Sequence, residues 1–399
     1  MPTPSVYMED WAMSYNHTLF GQMTQVFSRL DFQKAVGSTK AEYHARGFSS
    51  WNHFTAMLFG QLAGQDSLRS MEAGLATQAH SLYHLGIKPI HRSTLSYANE
   101  HRPAKLFEKV FYQMLSKCQP LAPQHKFRFK NPLYSIDATT IDLCLSLYNW
   151  AKFRTTKGAV KLHVKLNHAG YLPTFAVVTT GKVHEQKVAP NIPLEKGDVV
   201  SFDRAYNDLC WLRTLDDNGV LFVTRQKSNA AYIVKERKPT DHLPNIYSDQ
   251  IIELKNPGAR NKFPAQLRRI RSYDPETGKI IVLLTNNFSW SAQTIALIYK
   301  KRWQIELFFK ALKQQLKVKS FVGTSQNALL SQLWIALIAY LLLSYLKFKS
   351  TFSWSLYTLC AILPTNLFAR RPLWDWLNAP FNQSSVKPFN LKQLILAFR

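Results

Sequence analysis

The chain has 399 residues, room for two or three domains, and its 46% hydrophobic and 19% charged content excludes both a disordered chain and a small stapled scaffold. Fifty Lys and Arg against 25 Asp and Glu leave a formal charge of +25. This charge is spread along the chain, which predicts a long polyanionic partner, nucleic acid before anionic lipid. Cys118, Cys144, Cys210 and Cys360 lie far apart, without C-x-x-C or a His at zinc spacing. The opening MPTPSVYMEDWAMSYN has neither a basic nor an apolar leader region, so a reducing cytoplasm is the expected setting.

From Thr18 to about Gln119 the periodicity predicts helices only, with Ser49 or Ser50 placed to cap WNHFTAMLFGQLAG. The run DSLRSMEAGLATQAHSLYHLG, the breaker IKP and then HRSTLSYANEHR read as helix, turn, helix, the second opening at a Ser93 or Thr94 cap. Such an element suits groove reading, with Arg92, Ser93, Thr94, Asn99 and Arg102 as candidate DNA contacts. A helical hairpin with a solvated polar face fits equally well.

After the linker PLAPQHKFRFKNP the pattern turns to strands: YSIDATTIDLCL, then VKLHVKLN and LPTFAVVTT joined at His168-Ala169-Gly170. GDVVSFDRAY and GVLFVTRQ flank the helical NDLCWLRTLDDN, as in a crossover between parallel strands. The order β-β-β-α-β-α-β is then interrupted from Lys227 to about Gly278 by a segment rich in Pro, Lys and Arg. It is too long for a plain loop and reads as a β-rich insertion. IIVLLTN adds a strand and leads into a long helix from about Ser291 to Val318. Leu333 to Leu346, LWIALIAYLLLSYL, falls short of the roughly 20 residues a bilayer needs and is expected as a core helix, with no membrane partner.

Strand alternation puts Asp137 on one face with Thr139 and Ile141, and turns Asp142 away. An acid inside an apolar strand requires a compensating cation, either a Lys or Arg partner or a metal. Asp203 ends an apolar run where a buried parallel strand emerges at the ligand-binding edge of a sheet. Asp208, Asp216 and Asp217 read as capping or solvated groups. In YKKRWQIELFFKALKQQLK, a regular helix puts Tyr299, Arg302, Glu306, Lys310, Lys313 and Lys317 within roughly an 80° arc. That is one acid in a cationic stripe, which on an isolated helix would be an ordinary solvated face with i,i+4 pairs. Together, Asp137, Asp203 and Glu306 form an oxygen-donor set suited to Mg²⁺, with the basic stripe holding phosphate. Two ions about 3.5–4 Å apart would serve phosphodiester attack without a covalent nucleophile.

Tyr299, Arg302, Glu306 and Lys313 match the Y-x₂-R-x₃-E-x₆-K signature at every spacing. The chain thus resembles the DDE transposases of bacterial insertion sequences, specifically the insertion sequence 4 family. The resemblance is good from about Tyr134 to Lys319, with Asp137 in SIDATTIDL and Asp203 in D-R-x-Y taking the two Asp positions. It implies an α/β, RNase H-like catalytic core (126–319) with a β-rich insertion at about 227–285. An all-α N-terminal DNA-binding domain (1–125) would precede it and C-terminal helices (320–399) follow. It further implies dependence on Mg²⁺ or Mn²⁺ and cleavage and strand transfer at double-stranded transposon ends and target DNA. A homodimer or higher complex, cytoplasmic and nucleoid-associated when bound, would carry this out. Arg302 and Lys313 would hold phosphates and Tyr299 the terminal nucleotide. Where some relatives carry a Trp that stacks an unpaired base during hairpin formation, this chain has Ile281, with Trp290 nearby. His184 and Glu185 in GKVHEQK, after the third strand, read first as a polar loop, with a place near the site as the alternative. A catalytically idle DNA-binding descendant and a cellular RNase H-like nuclease are the alternative readings.

Overall fold

The computed structural model describes residues 17–153, 157–316, 318 and 321–381. Among the described residues six α-helices precede the sheet: α1 (Leu19–Thr24), α2 (Arg29–Thr39), α3 (Ser50–Leu62), α4 (Leu68–Ala76), α5 (Arg92–His101) and α6 (Lys105–Cys118). Ser28, Ser49 and Ser67 start α2, α3 and α4, each hydroxyl accepting the backbone N–H three residues on. The expected Ser93 or Thr94 cap is not used. α5 opens after His91, whose side chain makes no capping bond, so Ser93 and Thr94 lie in its exposed first turn.

The strands are β1 (Leu133–Leu143), β2 (Gly158–Asn167), β3 (Leu172–Thr180), β4 (Val199–Phe202), β5 (Leu221–Arg225), β6 (Tyr232–Lys238), β7 (Ile246–Leu254), β8 (Leu267–Asp274) and β9 (Lys279–Thr285). Among the described residues they form one sheet in the order β3-β2-β1-β4-β5-β9-β8-β7-β6. β1, β4 and β5 are parallel, and the other pairings are antiparallel. The β2–β3 turn passes through Gly170 at φ 67, where a Cβ would come within 2.7 Å of Phe348, so both the conformation and the space require glycine. The β-rich insertion is not a separate sheet. β9 returns to pair with β5, so β6 to β9 extend the central sheet at its far side.

α7 (Glu185–Val188), α8 (Leu209–Asp217) and α9 (Pro257–Lys262) follow β3, β4 and β7 respectively. α8 is capped by Asp208, as its capping reading expected. Residues 292–310 form α10 (Ala292–Lys301) and α11 (Trp303–Lys310), and the C-terminal helices are α12 (Gln326–Lys349), α13 (Leu356–Asn366) and α14 (Leu373–Asn378). One sheet face packs Ile136, Val200, Phe202 and Phe222 against α8. On the other face Leu133, Val199 and Val223 pack beneath α10, while Ile141, Val160, Leu162 and Val164 meet the helical layer.

That helical layer is built from both ends of the chain. α12 is long and apolar enough to cross a membrane, yet it is buried among α3, α5, α6 and α13 as the core helix its sequence suggested. The backbone N–H groups of Leu19 and Phe20 donate to the carbonyls of Ala369 and Leu367, and Gln22 bonds both Arg371 and Leu373. The N-terminal and C-terminal regions, expected separately, therefore share one core.

Within it, burial holds the His53 imidazole neutral and lowers its pKa to about 3, helped by the nearby Arg102 charge and opposed by its bond to Asn99. The unfolded chain takes up this proton near pH 6.5 while the folded one resists it, so His53 contributes stability above that pH that is lost as the pH falls toward 3. His53→Gln keeps a donor for Asn99 and should flatten the decline of the thermal midpoint between about pH 6.5 and 4. An unchanged decline in the variant would exclude His53 as a source of acid sensitivity.

Candidate active site

Strand parity and register assemble the site. β1 pairs with β4 from Leu133↔Val199 to Ile136↔Phe202, and β4 with β5 from Val199↔Leu221 to Phe202↔Thr224. One step further, the parallel register aligns Asp137, Asp203 and Arg225 in a row on one face, about 4.8 Å between neighbouring strands. Val164 of β2 and Leu283 of β9 flank the row. Asp142 is exposed on the opposite face, as alternation requires.

The third acid arrives on the helices above. α11 packs against β1 and carries Glu306. The predicted single long helix is divided at Arg302, where i→i−3 bonds (Arg302 N to Tyr299 O, Ile305 N to Arg302 O) tighten the turn. It then widens into a π-helical turn at Ala311–Gln315, a form frequent at functional sites. Lys313, on that turn, donates from Nζ to the Thr140 carbonyl at 2.8 Å, beside β1. Lys310 is exposed, and Lys317 lies outside the described residues.

Arg302 is the hub. Its Nη1 lies 2.6 Å from Asp137 Oδ2 and 3.7 Å from Glu306 Oε1, and its guanidinium carbon is 5.6 Å from the Tyr299 ring centre. Burial opposes its charge, but Asp137, Tyr299, Asp203 and Glu306 outweigh this and hold its pKa above the ordinary value. Asp137 is buried, with Oδ1 accepting from the Ala138 N–H at 2.8 Å. Its pKa is raised to about 7, chiefly by desolvation. Arg302 and the Ala138 bond pull it down, and the charges of Asp203 and Glu306 push it further up. Asp203 is half-buried, and its Oδ1 accepts from the Ala205 N–H at 2.8 Å.

A buried Asp137 whose pKa is raised by the neighbouring Asp203 and Glu306 charges calls for a cation, and oxygen donors of this kind suit a hard divalent ion. Among the described residues no three acidic, His or Cys groups are gathered closely enough to hold an ion together. It is the Arg302 guanidinium that lies between Asp137 and Glu306. The donor chemistry fits a divalent ion, with Arg302 as its competitor for the same oxygens.

The candidate DNA contacts of the N-terminal region divide. Arg92, Ser93 and Thr94 are exposed at the start of α5. Asn99 and Arg102 are not on that surface. Asn99 Oδ1 bonds His53 Nε2 at 2.7 Å, and the Arg102 guanidinium donates to the carbonyls of Ala41, Phe48 and Ser49. Their polar groups tie α5 into the helical core. Glu185 is held by Lys161 at 2.8 Å, which gives it a structural partner, and His184 is exposed. Trp290 stacks on Phe129 with centroids 4.1 Å apart.

Arg225 was missed in the sequence. It is half-buried and aligned next to Asp203, and its charge lowers the pKa of Tyr299, which burial raises. Among the described residues it makes no ion pair. Alternation in LFVTR puts it on the face of Val223 and would have found it.

Comparison with known proteins bears on both parts of the chain. A family model described as a transposase DDE domain matches residues 128–342, and a domain of unknown function (DUF4372) matches residues 15–88. The chain is 31% identical over 265 residues to a Geobacillus stearothermophilus protein assigned as the transposase of insertion sequence element IS5377, covering 65% of this chain and 68% of the relative. It is 34% identical over 254 residues to y4zB of Sinorhizobium fredii, also assigned as a transposase, covering 62% and 69%. A Synechocystis protein assigned to element IS4SA is 26% identical over 264 residues, covering 64% and 71%.

Proposed function

Because the chain belongs to the transposase DDE domain family of bacterial insertion sequences, we propose that it binds the double-stranded ends of its element and carries out their cleavage and strand transfer into target DNA. Its α/β body of one mixed sheet with flanking helices is read as an RNase H-like core. The observation that carries the proposal is the alignment of Asp137 and Asp203 on one sheet face, with Glu306 joined to Asp137 through Arg302. Family members generally use divalent metal ions. Here Asp137, Asp203 and Glu306 would hold Mg²⁺ or Mn²⁺, in two positions, which when bound supplies an activated water or 3′-hydroxyl and a stabilised leaving oxygen.

The chain's own residues do the rest. Arg302 neutralises Asp137 and Glu306 here, and with a cation held by those acids its guanidinium would be available to a DNA phosphate. Lys313, braced on Thr140, Lys310 and Arg225 would hold the backbone on the two sides of the acid row. Tyr299, buried against Arg302, would back the terminal nucleotide. Arg92, Ser93 and Thr94 offer a polar turn to the duplex. Hairpin chemistry is not favoured, since Ile281 offers no stacking ring and Trp290 is already stacked on Phe129. Assembly on paired ends as a homodimer or higher complex, in the cytoplasm on nucleoid DNA, completes the reading.

The test is an assay on linear DNA carrying the element's own ends. With Mg²⁺ or Mn²⁺ the wild-type chain is expected to nick at the ends and to yield joined products, and with chelator it should bind without cutting. Cutting with no preference for the ends would instead identify a general nuclease, and binding without cutting in either metal would identify an idle descendant.

A further inference from the structure

The linker HKFRFKN contains a structured cationic turn that the catalytic reading does not use. Lys126, Arg128 and Lys130 are exposed, and Phe127 and Phe129 alternate with them as half-buried residues. Both rings pack on the core beneath α10, stacked on each other with centroids 5.0 Å apart. Phe129 in turn stacks on Trp290. The Trp290 carbonyl accepts from Arg268, a buried guanidinium paired through two bonds with Asp249. The ends of the turn are clasped as well, since His125 Nε2 lies 2.8 Å from the Asn131 carbonyl and Asn131 Nδ2 donates to the Gly197 carbonyl at 2.8 Å.

Three cations therefore project from a backbone that is already ordered, and among the described residues none of them makes an ion pair with an acid. Uncommitted charge on a fixed backbone suits a polyanion, because little ordering entropy is lost when it is engaged. We propose that Lys126, Arg128 and Lys130 form a second DNA-backbone contact, separate from the acid row. They would grip the phosphates of a duplex without reading its sequence. The inference rests on the reading that the partner is DNA. The turn leads through Pro132, whose carbonyl accepts from the Val199 N–H, into the starts of β1 and β4, four residues before Asp137 and Asp203, so it would engage duplex lying to one side of the reacting ends.

The experiment compares full-length wild type with K126Q/R128Q/K130Q and with the charge-preserving K126R/R128K/K130R on a short duplex of random sequence, by equilibrium binding across salt. At about 0.9 per phosphate contact, the neutral variant should lose about 2.7 from the slope of log K against log salt. Its affinity deficit should then shrink about 40-fold between about 50 and 200 mM salt. The charge-preserving variant should keep the wild-type slope, and both should keep the wild-type thermal midpoint because the replaced groups face solvent. An unchanged slope in the neutral variant overturns the proposal and leaves the catalytic reading standing. A wild type that binds duplex but never cuts the ends removes the catalytic reading while the slope still decides the turn. A neutral variant that loses binding to anionic vesicles and none to duplex also overturns it, in favour of a lipid surface.

Discussion

Asp203→Asn is expected to lower end cleavage by at least about 10²–10³-fold, the scale seen when one charge-stabilising group is taken from a preorganised site. Asp203 allows a clean test because its carboxylate takes part in no ion pair among the described residues and accepts a single local bond from the Ala205 N–H. An asparagine oxygen can accept that bond equally well, so the turn after β4 should hold. Asp203 also raises the pKa of Asp137, so its neutralisation relieves repulsion. The variant should melt at or slightly above the wild-type temperature and bind end DNA at least as tightly, while single-turnover cleavage collapses. Cleavage within about tenfold of wild type, a change of only about 1.4 kcal/mol in barrier, would remove Asp203 from the catalytic set.

Arg302→Ala should behave in the opposite sense toward stability. The Arg302 and Asp137 side chains are only 14% and 13% exposed, so removing the guanidinium leaves a buried acid beside two others without a counter-charge. Loss of one partner from such a pair costs about 3–5 kcal/mol. On the proposed site a divalent cation would compete with the guanidinium for the same oxygens, so Mg²⁺ or Mn²⁺ should restore part of that loss in the variant and stabilise it more than it stabilises wild type. Urea unfolding of both proteins, with each ion and with chelator, measures this. Equal metal responses would mean that Arg302 does not guard the cation position, and an unchanged unfolding free energy would mean that Asp137 is solvated enough not to need it.

The parts of the site governed by period were legible in the sequence. Alternation put Asp137 and Asp142 on opposite faces, with the resemblance choosing between them, and the run ending at Asp203 marked a strand edge. The sequence does not state which strands are neighbours, so the row that unites Asp137, Asp203 and Arg225 emerged only with the register. The division at Arg302 was invisible because no Gly or Pro marks it and the Arg302 backbone stays in the right-handed helical region. Asn99 and Arg102 failed as surface candidates for a different reason. A polar residue that pairs with a buried side chain, as Asn99 does with His53, or with backbone carbonyls, as Arg102 does, looks the same in sequence as one that faces solvent. The apolar stretch of α12 was read correctly as core, but its role as the shared centre of two chain ends depends on contacts more than 200 residues apart in sequence, such as those of Asn327 with the carbonyls of Asn99 and Arg102.

That shared centre sets a timetable for synthesis. α3 and α6 cannot cover their apolar faces with α12 until the ribosome has translated through Lys349. At roughly 5–20 residues per second, α3 would wait about 15–60 s after its own completion. During that interval α6 presents Phe111, whose ring packs on Trp334 of α12 in the finished protein. Chaperone occupancy on the nascent chain should therefore be concentrated on this region and end abruptly once α12 emerges, so that the polypeptide acquires its helical layer only after α12 has been made.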